Sequence, residues 1–221
     1  MRPLPPASSP PEPAANPREP VFRIPSATGW LIAVNLLIQI VRSFLPAGQD
    51  EIIIDTLGFD PASLYGPARL MTPVTLVSYQ FLHGGWNHLA INMVSLLAFG
   101  AGVEKPLGPA RFLVLYIVSG IAGGLLESLF VNATGNDLLI GASASISGIF
   151  GALLILWGIN RRGSRPMGMV PMALLWIALM MITGILGVGA GGSPVAWIAH
   201  IGGFLAGIGF GLVFRQGFRR D

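Results

Sequence analysis

Cysteine and charge are the two features that this sequence lacks most clearly. It has no cysteine, which excludes disulfide bonds, cysteine-ligated metal sites and a thiol nucleophile. Charged residues are only 10% of its 221 residues and apolar residues are 52%, whereas about 25% charged residues is usual in a soluble domain. The net charge is only +3, and the basic residues do not form a cluster of the kind that binds nucleic acid, so no nucleic acid partner is expected. A lipid bilayer is therefore the expected surroundings for most of the chain.

Proline is concentrated at the start of the sequence. Residues 1–25 hold nine of the eighteen prolines. Because proline lacks a backbone N–H and fixes φ, we predict a disordered cytoplasmic tail here. A short second tail is predicted at residues 216–221, and residues 26–215 are predicted to form one membrane domain.

Six apolar runs follow, each close to the ~20 residues that a helix needs to cross the hydrocarbon core of a bilayer. We predict six transmembrane helices, at Thr28–Leu45, Trp86–Val103, Phe112–Val131, Leu138–Asn160, Met167–Val188 and Pro194–Phe214. The segment Pro46–Gly85 is too polar to span and is expected to hold short interfacial helices. The predicted fold class is an all-α membrane protein, a six-helix bundle with a long first loop.

Basic residues indicate the orientation of this bundle. If the N-terminus is cytoplasmic, eleven of the thirteen basic residues fall on the cytoplasmic side, and only Arg42 and Arg69 fall outside. Lysine and arginine are enriched in cytoplasmic loops. The expected arrangement is therefore a multi-pass protein of the bacterial inner membrane with both termini in the cytoplasm.

Four polar side chains share one layer of the predicted bundle. In this orientation the second, fourth and sixth helices all begin at the outer face. His88, Asn92, Ser143 and His200 then lie roughly 3–9 Å below the outer boundary, at ~1.5 Å of rise per residue. Polar and ionisable groups are costly inside a bilayer and usually mark a functional site. This layer is the candidate site.

Small residues predict close contact between the fourth and sixth helices. Each helix carries them at four-residue spacing: Ala144, Gly148 and Ala152 on the fourth, and Gly203, Gly207 and Gly211 on the sixth. Such faces let two helix backbones approach each other in a membrane. Only this approach would allow a short serine side chain to reach an imidazole on another helix.

Ser143 and His200 predict nucleophilic catalysis. A serine hydroxyl is a poor nucleophile until a base removes its proton, and imidazole is a good base near neutral pH. We place no aspartate or glutamate at the same depth near His200, so a dyad is expected and not a triad. His88 and Asn92, one turn apart on one helix face, could donate hydrogen bonds to a developing oxyanion, together with the Ser143 backbone N–H.

A second serine motif leaves open which serine reacts. Ser147 lies one helical turn after Ser143 and is also followed by a glycine, Gly148. Depth favours Ser143, because Ser147 would lie ~6 Å further from the outer boundary and from water. Ser143 is therefore the predicted nucleophile.

Two other polar residues are predicted to be structural. His83 precedes the second helix and is expected to hold the first loop. Glu104 lies near the inner boundary, too far from Ser143 for chemistry, and is expected to cap or bond the end of its helix.

Four separated motifs resemble those of the rhomboid family of intramembrane serine proteases. They are Phe81–Met93, Gly102–Gly108 with Arg111-Phe112, Gly141-Ala142-Ser143 with Gly148 and Gly151, and Ala199–Gly203 with Gly207. The resemblance covers about residues 28–212. It implies Ser143 as nucleophile, His200 as general base, His88 and Asn92 as oxyanion donors, and cleavage of transmembrane protein substrates near the outer membrane face.

The family pattern also indicates which neighbours of the site are structural. Gly141, Ala144, Gly203 and Gly207 are expected to support the site by close packing. The sequence departs from the pattern at Ala144, where the family usually has glycine, and at Ser147, where it often has an aromatic residue.

Three interpretations of function differ in kind. The first is an active serine endopeptidase, and the second is a catalytically silent relative that binds membrane segments. The third is an unrelated transporter, whose usual internal repeats and broken helices are not seen in the sequence. Retention of both Ser143 and His200 favours the first. No cofactor and no metal ion is expected.

Overall fold

The computed structural model describes residues 24–65, 70–130, 138–160, 171–172, 174–178 and 196–215. These residues are almost entirely helical. The α-helices are α1 (Ser26–Ser43), α2 (Ala47–Leu57), α3 (Thr72–Ser78), α4 (Trp86–Leu107), α5 (Pro109–Ser128), α6 (Ser143–Asn160) and α7 (Trp197–Phe214), with 3-10 helices at Pro61–Tyr65 and Tyr79–Phe81. Helices α1, α4, α5 and α7 are long and apolar enough to cross a membrane, and α6 contains a shorter apolar stretch, Ser143–Trp157.

The prediction of an all-α membrane fold is confirmed. The second predicted span begins at Trp86, as α4 does, and α2, α3 and both 3-10 helices lie in the predicted long first loop. The fifth predicted span, Met167–Val188, lies mostly outside the described residues, although residues 171–172 and 174–178 are helical. Residues 1–23 and 216–221 of the two predicted tails also lie outside the described residues.

The predicted start of the fourth span at Leu138 is wrong, because α6 begins at Ser143. Gly141 has a φ of +123°, which is incompatible with a right-handed helix. Two residues earlier, Leu139 forms a short antiparallel bridge with Phe59 of the first loop, with N···O distances of 2.7 and 3.0 Å. Ser143 therefore stands at the first residue of its helix and not one turn inside it. Helix α7 likewise begins at Trp197, later than the predicted Pro194.

Helices α6 and α7 pack backbone to backbone through the small residues predicted from the sequence. A Cβ placed on Gly203 would overlap the carbonyl oxygen of Ala144, and one on Gly207 would overlap that of Gly148. A Cβ on Gly211 would lie 3.3 Å from the Cα of Ala152. The two four-residue series are therefore in register along the whole contact, and the predicted close approach is confirmed.

This packing gives a prediction with a control on the same helix. Gly207→Ala is expected to destabilise the protein by about 1–3 kcal/mol, because the new methyl group would have to push two backbones apart. Gly209→Ala makes the same chemical change where a Cβ meets no atom within 4 Å. It should leave stability unchanged or slightly higher, since alanine favours a helix over glycine. Thermal unfolding in detergent measures both, and equal losses would contradict the assigned register.

A glutamate of α4 caps the start of α1. Helix α1 has no side-chain cap of its own, but the buried carboxyl group of Glu104 accepts the N–H groups of Ala27 and Thr28 at 2.8 and 2.7 Å. It also accepts the Thr28 hydroxyl at 2.7 Å. These bonds satisfy N–H groups that lack a partner within the helix. Glu104 was predicted to cap or bond the end of its own helix; it does bond a helix end, but that end is the start of α1.

At the other end of α1, an arginine joins this helix to the first loop. Arg42 is buried and forms an ion pair with Asp50 of α2, with 2.7 Å between Nε and Oδ1. Its Nη1 also donates to the carbonyl oxygen of His83 at 2.7 Å. The chain just before α4 is thereby held against α1 through the backbone of His83. The ring nitrogens of His83 have no hydrogen-bond partner among the described residues, so the loop-holding role predicted for this side chain stays a prediction.

Candidate active site

The candidate site lies where the first turns of α4, α6 and α7 meet. Ser143 is the first residue of α6, and His200 is the fourth residue of α7. The contact of Gly203 with Ala144 determines the position of Ser143 relative to His200. His200 lies one turn before Gly203 on the same face of α7, and Ser143 directly precedes Ala144 on α6. The structure thus brings these two residues to one end of the α6–α7 contact.

Accessibility distinguishes the three serines of this segment. Ser143 is half-buried, whereas Ser145 and Ser147 are both 0% exposed. The hydroxyl of Ser147 donates to the carbonyl oxygen of Ser143 at 2.9 Å. That of Ser145 donates to Oε1 of Gln80 at 2.9 Å. Ser143 is therefore the one of the three that water or a substrate can reach.

One hydrogen bond determines the tautomer of His200. Its Nδ1 lies 2.8 Å from the carbonyl oxygen of Ala196. A carbonyl oxygen can only accept, so Nδ1 must carry the proton. In the neutral ring Nε2 then has a free lone pair, which is the form that a general base needs.

His88 and Asn92 flank Gly141, two residues before Ser143. A Cβ on Gly141 would lie 2.8 Å from Nε2 of His88 and 3.7 Å from Nδ2 of Asn92. Nδ1 of His88 accepts a long hydrogen bond from the Gly84 N–H at 3.4 Å, which leaves the proton on Nε2. Nδ2 of Asn92 is buried and has no hydrogen-bond partner in the described part of the chain. Two N–H donors are thus available beside the segment that leads into Ser143.

The first loop holds this segment in place. The Gly141 N–H donates to the carbonyl oxygen of Tyr79 at 2.9 Å, and the Tyr79 hydroxyl donates to the carbonyl oxygen of Gly120 on α5 at 2.8 Å. The side chain of Gln80, which binds Ser145, occupies the place that a side chain at position 120 would need. Sequence reasoning missed Tyr79 and Gln80, because nothing local marks a loop residue whose partners are 36 to 65 positions away.

His83 packs behind His88 and is electrically neutral. The two rings meet edge to face with 5.1 Å between their centroids. Burial of His83, with smaller contributions from His88 and Arg42, lowers its pKa to about 3. The ring therefore stays uncharged at physiological pH and does not place a positive charge beside the candidate oxyanion donors.

The departure from the family motif at Ala144 is accommodated by a glycine on α5. The Ala144 methyl group lies 2.8 Å from the position that a Cβ on Gly123 would occupy. A side chain at position 123 would collide with it, whereas glycine leaves the space free. Ala144 is thus packed closely against α5 without a clash.

The expectation that no acidic residue lies near His200 is wrong. Glu127, near the end of α5, is completely buried, and its Oε2 accepts the N–H of Ala199 at 2.8 Å. The carboxyl group bonds the backbone beside His200, while the ring itself bonds Ala196. One signal could have revealed it, because Glu127 is the only charged residue well inside the third apolar run, and an intramembrane acid is itself a functional hint.

These features define an integral membrane protein of the all-α class, with a serine and two histidines at the starts of three packed helices. The family model for the Rhomboid domain matches residues 71–217. The chain belongs to the Rhomboid family, which confirms the resemblance seen in the motifs. This family includes serine proteases that act within membranes.

Curated relatives agree with this assignment. RHOMBOID-like protein 5 of Arabidopsis thaliana is 32% identical to this chain in an alignment that covers 96% of this chain and 77% of the relative. RHOMBOID-like protein 4 of the same plant is 34% identical over 63% of this chain and 34% of its own. Rhomboid protease GluP of Bacillus subtilis is 34% identical over 83% of this chain. The chain spans only about a third of the last two relatives.

Proposed function

We propose that the protein is an intramembrane serine endopeptidase that cleaves transmembrane protein substrates near the outer membrane face. The observation that carries this proposal is the state of His200. Its Nδ1 is engaged by Ala196, which leaves Nε2 as a base at the same end of the α6–α7 contact as the half-buried Ser143. A relative of similar sequence is named as a rhomboid protease, which supports the same activity.

In the proposed reaction Nε2 of His200 removes the proton from Oγ of Ser143 as that oxygen attacks the carbonyl carbon of the scissile peptide bond. The carbonyl oxygen becomes an oxyanion, which accepts hydrogen bonds from Nε2–H of His88, Nδ2–H of Asn92 and the backbone N–H of Ser143. The C–N bond then breaks, and His200 returns its proton to the leaving amine. An acyl-enzyme on Ser143 remains.

Water completes the proposed cycle. His200 takes a proton from a water molecule, whose oxygen attacks the acyl carbon, and the proton then passes to Oγ of Ser143 as the acid product leaves. Hydrolysis needs water at the nucleophile, and the partial exposure of Ser143 and His88 supports such access. A serine one turn deeper in α6 would lack it.

The direct test of this proposal is cleavage of a model transmembrane substrate by the purified protein in detergent and in vesicles. Wild type is expected to give two defined products by mass spectrometry, and Ser143→Ala and His200→Ala are expected to give none. Binding of the substrate by folded wild type without any cleavage would instead favour the catalytically silent interpretation.

The proposed orientation has both termini in the cytoplasm, in a bacterial inner membrane, with Ser143 near the outer face. Because the chain has no cysteine, single cysteines can report on it without background. A cysteine at Asp55 in α2 is expected to react with an impermeant maleimide from outside the cell, and one at Arg162 only after the membrane is opened. The reverse pattern would place the site on the cytoplasmic side.

A further inference from the structure

The helix that carries His200 has no side-chain cap at its N-cap residue. That residue is Ala196, whose methyl group cannot accept a hydrogen bond from the free N–H groups of the first turn. The first four N–H groups of a helix have no partner within the helix. The Ala199 N–H is one of them, and its partner is the buried carboxyl group of Glu127 on α5.

Helix α5 holds Ala199 at a second point. A Cβ on Gly123 would lie 2.6 Å from the carbonyl oxygen of Ala199, so the backbones of α5 and α7 are in direct contact there. Gly123 and Glu127 are one turn apart on the same face of α5. The N–H and the carbonyl group of Ala199 therefore both contact the same face of α5.

The same turn of α7 also orients the imidazole. His200 directly follows Ala199, and its Nδ1 proton is held by the carbonyl oxygen of Ala196 at 2.8 Å. Helix ends fray when their free N–H groups are not bonded. Loss of the bond to Glu127 would loosen the turn that contains Ala196, and the ring would then lose the contact that keeps its proton on Nδ1.

We infer that Glu127 is a positioning residue for His200, acting through the hydrogen bond to Ala199 that caps the first turn of α7. The inference rests on the proposed role of His200 as the general base. Glu104 provides a matched comparison, since it caps α1 by the same kind of bond. Glu104 lies sixteen residues after His88 on α4, which is ~24 Å along the helix.

The experiment compares Glu127→Ala, Glu127→Gln and Glu104→Ala in two measurements. In the cleavage assay, Glu127→Ala is expected to lower kcat by about 10- to 100-fold with little change in KM, because small misplacements of a catalytic group cost this much. Glu127→Gln keeps an oxygen that can accept the Ala199 N–H and should recover most of the kcat. Glu104→Ala should lower the unfolding temperature but leave kcat within about twofold of wild type.

The second measurement does not depend on proteolysis. Nitrogen-15 spectra of the imidazole groups in detergent, assigned with His200→Gln, report which ring nitrogen carries the proton. Wild type and Glu127→Gln are expected to show His200 protonated at Nδ1 alone, and Glu127→Ala a mixture of both tautomers. If Glu127→Ala does not fold, Glu127→Met takes its place, because it keeps most of the volume but cannot accept the bond.

Three results would overturn the inference: an unchanged kcat in folded Glu127→Ala, an unchanged His200 spectrum in that variant, or an equal loss of kcat in Glu104→Ala. Failure of the proposed function looks different. In that case wild type cleaves no faster than Ser143→Ala, and the spectra still show whether Glu127 fixes the His200 tautomer.

Discussion

A fluorophosphonate probe is expected to label wild type, Ser145→Ala and Ser147→Ala, and to leave Ser143→Ala unlabelled. Ser143 is the first residue of α6 and is half-buried, whereas Ser147 is fully buried and donates its proton to the Ser143 carbonyl oxygen. Ser147 also lies one turn, or ~6 Å, further along the helix. Loss of a catalytic serine lowers kcat by about 10⁶ in a well-studied serine protease, so Ser143→Ala should abolish cleavage as well as labelling.

The three serine variants serve as controls for each other. Each loses one hydroxyl group from the same helix, and all should unfold within a few degrees of wild type in detergent. Ser145→Ala should show the largest loss of stability, because it removes the bond to Gln80. Labelling that persists in Ser143→Ala and disappears in Ser147→Ala would move the reactive serine one turn along α6 and refute the dyad.

Asn92→Ala is expected to lower kcat by about 10²- to 10³-fold, the usual effect of losing one oxyanion donor, with KM nearly unchanged. In the structure Nδ2 of Asn92 has no partner among the described residues, so its removal breaks no hydrogen bond from this atom. The unfolding temperature should therefore change little. This combination, a large kinetic effect with a small effect on stability, is typical of a group that is bonded only in the transition state.

Asn35 is the matched control for this substitution. It is also a buried asparagine, but it lies on α1, and its Nδ2 donates to the Leu31 carbonyl oxygen at 2.8 Å. Asn35→Ala should lower the unfolding temperature and leave kcat close to wild type. A rise in KM for Asn92→Ala without a change in kcat would mean that Asn92 binds the substrate in its ground state and does not stabilise the oxyanion.

The start of α4 could be predicted because its determinants are local. Gly84 and Gly85 directly precede Trp86, and Gly85 has a φ of +150°, which a right-handed helix does not allow. The apolar run and the helix therefore begin at the same residue. The start of α6 could not be predicted in the same way. Residues Leu138 to Ala142 are mostly apolar, and the sequence therefore predicts that they belong to the helix. Hydropathy measures transfer into lipid and does not indicate which groups the backbone hydrogen-bonds to. The partner of Leu139 is Phe59, eighty positions earlier in the chain.

In the candidate site, too, some features could be predicted from local sequence and others depend on distant residues. Ser143, His200, His88 and Asn92 could be chosen from residue type and spacing, because a polar side chain inside an apolar run is conspicuous in the sequence. The small-residue series of α6 and α7 also predicted which two helices meet. Glu127 is equally conspicuous inside its apolar run, but its role could not be predicted, because it bonds a backbone N–H on another helix and no pattern in the sequence indicates which helix that is.

The sequence by itself thus determined the class of protein, the set of candidate catalytic residues and the pair of helices that bring them together. Composition, the length of an apolar run and the four-residue spacing of small residues are local properties. Their effects on membrane insertion and helix packing depend on the segment itself and not on where it lies in the chain. Only the tertiary structure decided which of the three serines is accessible, which nitrogen of His200 carries its proton, and how the turn that holds this histidine is capped. Each of these depends on hydrogen bonds and contacts between groups that only folding brings within 3 Å of each other.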